Sequence, residues 1–108
     1  MHENRLTIQN AEKKLAEEAV NKFTTLFRHG TLEVEYYRPE KVDLQTPHTR
    51  DEIYVVASGK GEFLCGDSRQ PFEAGEVLFA AAGVEHRFVD FSEDFATWVF
   101  FYGPEGGE

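Results

Sequence analysis

From the N-terminus, apolar positions first recur at helical spacing. Ala11, Leu15, Ala16, Ala19, Val20 and Phe23 alternate with Glu12, Lys13, Lys14, Glu17 and Glu18, which predicts an amphipathic helix over 10–21. Asn10 is placed to cap it, and Glu12 suits the positive end of the helix dipole. Lys14 and Glu18, and Glu18 and Lys22, are four apart and fall on the exposed face. From residue 32 the period becomes two. Leu32, Val34 and Tyr36 alternate with Glu33, Glu35 and Tyr37, a half-buried strand that ends before Pro39 and is fed by a turn at His29-Gly30. Ile53-Tyr54-Val55-Val56-Ala57 is apolar on both faces and stops at a hairpin turn, Ser58-Gly59-Lys60-Gly61. Residues 62–65 return, Gly66-Asp67-Ser68 turns again, and strands follow near 71–72, 76–80, 86–91 and 95–102.

Turn signals about every eight to twelve residues predict an all-β sandwich or barrel instead of a parallel sheet. The expected organisation is one domain, 1–108, with a helical arm at 10–21, a barrel at 22–102 and a flexible tail at 103–108. Segments 53–57 and 98–102 have no polar face. A small barrel cannot leave both sides of such strands in water, so the helix or a second copy must cover them. The second option predicts a homodimer.

Composition fits this picture. Hydrophobic residues make up 41% and aromatics 14%, with ten phenylalanines, a supply suited to a β-rich core. The formal charge of −9 repels polyanions, which excludes nucleic acid and anionic membrane as partners. Cys65 is the single cysteine and reads as a small buried hydrophobe, so no internal disulfide forms. Residues 1–5 lack the basic-then-apolar pattern of a secretory leader, which predicts a cytoplasmic protein.

The chemistry concentrates in three residues. His48 and Glu52 are separated by Thr49-Arg50-Asp51, and His86 follows a glycine-containing turn. Two imidazoles and a carboxylate suit iron, nickel, manganese, zinc or cobalt in the divalent state, with coordination positions left for water or substrate. The same residues also permit a metal-free arrangement in which Glu52 hydrogen-bonds a histidine across the barrel mouth. Arg50 and Asp51 are expected to point outward as a local ion pair. No acyl-transfer triad, P-loop or dinucleotide glycine pattern is present.

The spacing of these residues resembles the two motifs of the cupin superfamily, G-x5-H-x-H-x3,4-E-x6-G and G-x5-P-x-G-x2-H-x3-N. His48, Glu52 and Gly59 fall in register with the first motif, and Gly75, Gly83 and His86 with the second. Fifteen residues separate Gly59 from Gly75, as in small microbial cupins. Four positions depart from the pattern. Glu40 replaces the leading glycine, Thr46 the first histidine, Ala81 the proline and Asp90 the final asparagine. The chain is also similar to a small single-domain bacterial cupin group of undefined activity, through His48-Thr49-Arg50-Asp51-Glu52-Ile53-Tyr54-Val55-Val56 and Thr97-Trp98-Val99-Phe100-Phe101-Tyr102-Gly103-Pro104.

The resemblance implies a double-stranded β-helix, a jelly-roll of the RmlC-like kind, with a short N-terminal α-helix. It implies a divalent transition metal held by His48, Glu52 and His86, with water or the Thr46 hydroxyl in place of the missing histidine. Such a protein either acts on a small organic molecule, as a metal-dependent oxygenase or isomerase, or binds and senses a ligand without chemistry. Thr46, Tyr36, Tyr54, Val56, Phe79 and Trp98 are the candidate pocket-lining residues. Tyr54 and Val56 stand out among them because they share a strand face with Glu52.

Overall fold

The computed structural model describes residues 4–18, 22–43 and 47–108. Within them one helix, α1 (Ile8–Glu17), precedes the strands. These are β1 (Phe23–His29), β2 (Leu32–Tyr37), β3 (Asp51–Ser58) and β4 (Lys60–Cys65), then β5 (Ser68–Glu73), β6 (Val77–Ala80), β7 (His86–Val89) and β8 (Ala96–Tyr102). They form a five-stranded sheet in the order β1-β2-β8-β3-β6 and a three-stranded sheet in the order β5-β4-β7, with antiparallel neighbours throughout. The architecture is the expected all-β double-stranded β-helix with one short N-terminal helix.

Register sorts the side chains. Glu52, Tyr54 and Val56 on β3 lie opposite Phe101, Val99 and Thr97 on β8, and Glu52 and Tyr54 lie opposite Ala80 and Leu78 on β6. Directly opposed residues share a face, and this face turns inward. It meets Phe63, Phe72, Phe88 and Phe95 in one cluster, with Phe88 at the centre. The Phe88 ring lies 4.9 Å from Tyr54, 5.1 Å from Phe63 and 4.8 Å from Phe95. The phenylalanine-rich composition is thus spent on the space between the sheets, where each such ring pair contributes about 0.5–1.5 kcal/mol beyond burial.

The helix starts earlier than its periodicity suggests. Thr7, in extended conformation, is the N-cap, and its Oγ1 accepts a hydrogen bond from the Asn10 amide at 3.1 Å. Asn10 therefore sits inside the first turn and does not cap it. The helix stops at Glu17, and the expected continuation through 19–21 lies outside the described residues. Glu12 anchors the helix instead of serving its dipole. Its Oε2 accepts from the Tyr36 hydroxyl at 2.6 Å and from Arg38 at 2.9 Å. Lys14 is exposed as expected, and its ammonium donates to the Thr25 carbonyl.

β1 was not anticipated. Its pairing with β2 slips between Thr25 and Phe27, so one extra residue breaks the two-residue period that reveals a strand. Phe23 opens this strand and is not a helix residue. The C-terminal residues are likewise bonded to the barrel, in contrast to a flexible tail. The Gly103 amide donates to Thr31 Oγ1 at 3.1 Å and the Gly106 amide to the Thr49 carbonyl at 2.6 Å.

Candidate metal centre

The two sheets bring the candidate ligands together from separate parts of the chain. His48 lies in the connection before β3, Glu52 is the second residue of β3, and His86 opens β7 in the opposite sheet. One ligand atom from each lies within 4.8 Å of the other two. Metal bonds of about 2.0–2.2 Å place two ligand atoms at most about 4.4 Å apart. Side-chain shifts of a few tenths of an ångström would therefore let all three meet one ion.

The detailed geometry favours convergence on a shared point. Glu52 Oε1 lies 3.0 Å from His48 Nδ1 and 2.6 Å from His86 Nε2. Despite its short distance the second contact is off the line of a hydrogen bond, and His86 Nε2 has no aligned partner among the described residues. Glu52 Oε2, equally buried, has none either. His86 Nδ1 is 2.9 Å from the Val84 carbonyl, so this nitrogen carries the proton and leaves Nε2 as the free electron pair. Orphaned buried polar atoms are rare and call for an explanation. A cation between the imidazoles and the carboxylate would satisfy both.

Electrostatics agree. Burial alone would push the Glu52 carboxyl up, but His48 and His86 override it and hold it below the ordinary carboxylate range. Burial would push the His86 imidazole down, yet the adjoining Glu52 carboxylate, with the hydrogen bond to the Val84 carbonyl, holds it above its ordinary value. Glu52 is therefore an anion in a buried, aromatic setting. His48 packs edge-on against Phe101 at 5.0 Å, and His86 lies 6.0 Å from the Tyr54 ring and 6.3 Å from that of Phe63.

The other candidates separate. Tyr54 and Val56 lie on the inner face with Glu52. Tyr36 and Trp98 do not line the interior. They stack at 5.2 Å on the outer face, where Tyr36 joins Ala11 and Ala96 in a cluster against which Leu15 and Trp98 pack. Phe79 pairs with Ile53 on that same outer face and is 52% exposed. The alternation of Trp98 with Val99 could not reveal which side was inner, because both faces of β8 are apolar. Thr46 lies outside the described residues. Cys65 is only half-buried. It lies opposite His86 in the β4–β7 register, and burial and the Glu52 charge push its thiol up. An open groove of about 460 Å³ lies at the other end of β4, lined by Lys60, Glu62, Glu73, Glu76 and Asp90 among others, and includes none of the three ligands.

Three residues near the centre, Glu35, Arg50 and Asp51, are placed differently from what the sequence pattern suggests. Glu35 lies opposite Val99 and so faces inward. Burial, then the neighbouring Glu33, pushes its carboxyl up to about 7 against the pull of His48 and Thr25. Arg50 and Asp51 do not pair. Arg50 bonds Glu33 Oε1 at 3.0 Å and lies over the Phe101 ring, while Asp51 is buried and accepts from the Ala82 amide at 2.8 Å. That amide and the Glu108 amide, which also donates to Asp51, hold the Asp51 carboxyl below the ordinary range.

Fold and site together define a small β-barrel with a metal-type ligand cluster between its sheets. The Cupin domain family matches residues 32–102, more than half of the chain, and the chain belongs to that family. It is 40% identical over 63 residues to an uncharacterized protein of Streptomyces coelicolor, a match covering 58% of this chain and 60% of that protein. The chain thus matches less than two-thirds of that relative's length. A cupin 2 conserved barrel domain protein from Salinispora arenicola superposes with a TM-score of 0.67 at 18% identity, over 95% of this chain and 90% of its own. A chain from crystal structures of DMSP lyases RdDddP and RnDddQII gives a TM-score of 0.64 at 24% identity, over 77% of this chain and 47% of its own. At these identities the structural likeness is one of fold. Among the described residues, no helix is long and apolar enough to cross a membrane.

Proposed function

We propose that this cupin holds one divalent transition metal through His48, Glu52 and His86, and receives a small organic molecule against it. The observation that carries the reading is the convergence of three donor atoms within 4.8 Å of one another, beside two buried atoms, Glu52 Oε2 and His86 Nε2, that have no hydrogen-bond partner among the described residues. Iron, nickel, manganese and zinc all accept this donor set. A metal bound there would supply Lewis-acid activation of a ligand oxygen.

The chain's own residues set the rest. Glu52 contributes the negative charge, and Val84 fixes the His86 ring so that Nε2 faces the centre. The Tyr54, Phe63 and Phe101 rings exclude water from one side and offer an apolar wall to a ligand. The inward-facing Glu35 carboxyl, poised near neutrality, is a group that could pass a proton to a ligand held in the mouth. An oxygenase or isomerase would need such a second functional group on the inner face, and a passive binding module would not. Within the same reading the protein works in the cytoplasm as a homodimer.

Titration of the untagged protein with each of these four metal ions tests the proposal. One site per chain is expected, lost in His86→Ala and weakened at least about tenfold in Glu52→Gln. A wild-type protein that takes up none of them sinks the reading in favour of a metal-free ligand barrel, with Glu52 and His86 as a structural ion pair.

A further inference from the structure

Asp51 is the first residue of β3 and is 6% exposed. Both of its oxygens are used, and both are used on backbone. Oδ1 accepts from the Ala82 amide at 2.8 Å, and Oδ2 from the Glu108 amide at 3.0 Å. Two more backbone bonds lie beside it. The Gly83 amide donates to the carbonyl of His48 itself at 2.8 Å, and the Gly106 amide donates to the Thr49 carbonyl at 2.6 Å. Three segments distant in sequence therefore meet at one carboxylate. They are 47–51 with His48, 81–86 with His86, and 106–108.

We infer that Asp51 is a positioning residue for the metal centre, clasping the His48 and His86 loops to each other and to the C-terminal strap at 106–108. The inference rests on the metal-binding reading above. The physical argument concerns distance. His48 lies in the connection leading into β3 and His86 opens β7 in the other sheet, and no strand pairing joins β3 to β7. Their separation is set by the loops that carry them. The loop at 81–86 also holds the Val84 carbonyl that orients the His86 ring. Fixing Ala82 to Asp51 and Gly83 to His48 therefore fixes both the spacing of the ligands and the orientation of one of them. Partners of this kind are worth about 10–100-fold in metal affinity.

A carboxylate is required because both contacts are donated to it. Asn is the same size but offers one oxygen and one NH₂, so one backbone amide would face another donor. The strap can be displaced separately at Gly107. Its φ is +93°, and a Cβ there would lie 3.1 Å from both the Ala82 Cβ and Asp51 Oδ1. Gly107→Val thus lifts the strap and leaves the carboxylate in place.

The test is a cobalt(II) titration of the full chain, followed by the visible absorption of the bound ion, with thermal unfolding in chelator measured in parallel. Asp51→Asn is expected to weaken cobalt binding about tenfold or more and to change the absorption envelope. Gly107→Val is expected to do the same to a smaller extent, and Glu105→Ala, at an exposed residue just before the strap, to do neither. If Asp51→Asn does not fold, Gly107→Val decides. Wild-type affinity and spectrum in the folded variants, even with a lower unfolding temperature, would overturn the inference and leave Asp51 a purely structural clasp. Wild-type protein that binds no cobalt would overturn the metal reading itself, a result separable from the first.

Discussion

Taking Glu52 out of water costs several kcal/mol unless positive charge and hydrogen bonds meet its oxygens. His48 and His86 meet Oε1, and Oε2 is left over. A structural ion pair would be a poor reason to retain such a group, since apolar side chains of similar size would fill the site at lower cost. The proposed metal would supply the reason. Glu35 is the second carboxylate whose setting departs from water, and its consequence is a pH dependence. Its folded-state value, about 7, lies above the ordinary 4.5, so the folded protein binds this proton more tightly than the unfolded chain. The protein is thus expected to lose stability as pH rises from about 4.5 to 7. Partial exposure screens the penalty to about 1 kcal/mol, or about 4–8 °C in Tm. Glu35→Gln should flatten that loss, which melting curves at pH 5 and pH 8 would reveal. The facing groups are Glu33 on the same strand, Thr25 on β1 and His48. An unchanged pH profile would refute the assignment. His48, Glu52 and His86 were legible in the sequence because motif spacing survives without knowing register. Glu35 and Asp51 were not, because what sets them apart is the neighbour brought to them by pairing and by a distant loop.

Among the elements, strands with clean alternation or tight turns could be read closely, as β2 and the β3–β4 hairpin show. Gly59 makes that hairpin work. Its φ is +82°, and a Cβ there would lie 2.5 Å from the Phe95 Cα. Gly59→Ala should therefore cost at least about 2 kcal/mol, or about 8–16 °C in Tm, by denaturant or thermal unfolding. A neutral result would mean that residues 92–95 can move away from the turn. The bulged β1 defeated the same reasoning, and the helix start was misjudged because Thr7 and Asn10 are both acceptable caps. Only the partner on the sheet, Glu12 against Tyr36 and Arg38, decides which turn comes first.

For the whole molecule, the outer face of the five-stranded sheet is divided. The helix covers Tyr36 and Ala96, while Val77 at 65% and Phe79 at 52% remain open to water. An uncharged face is where two copies each carrying a net charge of −9 can approach. Sedimentation at micromolar concentration is expected to give twice the chain mass, and Phe79→Glu to return the monomer. A wild-type monomer would leave the face without a partner copy. The sequence pointed to an uncovered face in 53–57 and 98–102, but the helix and a second copy were equally good covers until the short length of α1 was known. The central claim is that the three ligands hold a metal. It is tested most directly by elemental analysis of untagged protein purified without chelators, beside His86→Ala. The account predicts close to one iron, nickel, manganese or zinc per wild-type chain and almost none in the variant. Wild-type protein as empty as the variant, even after exposure to these ions, would contradict it.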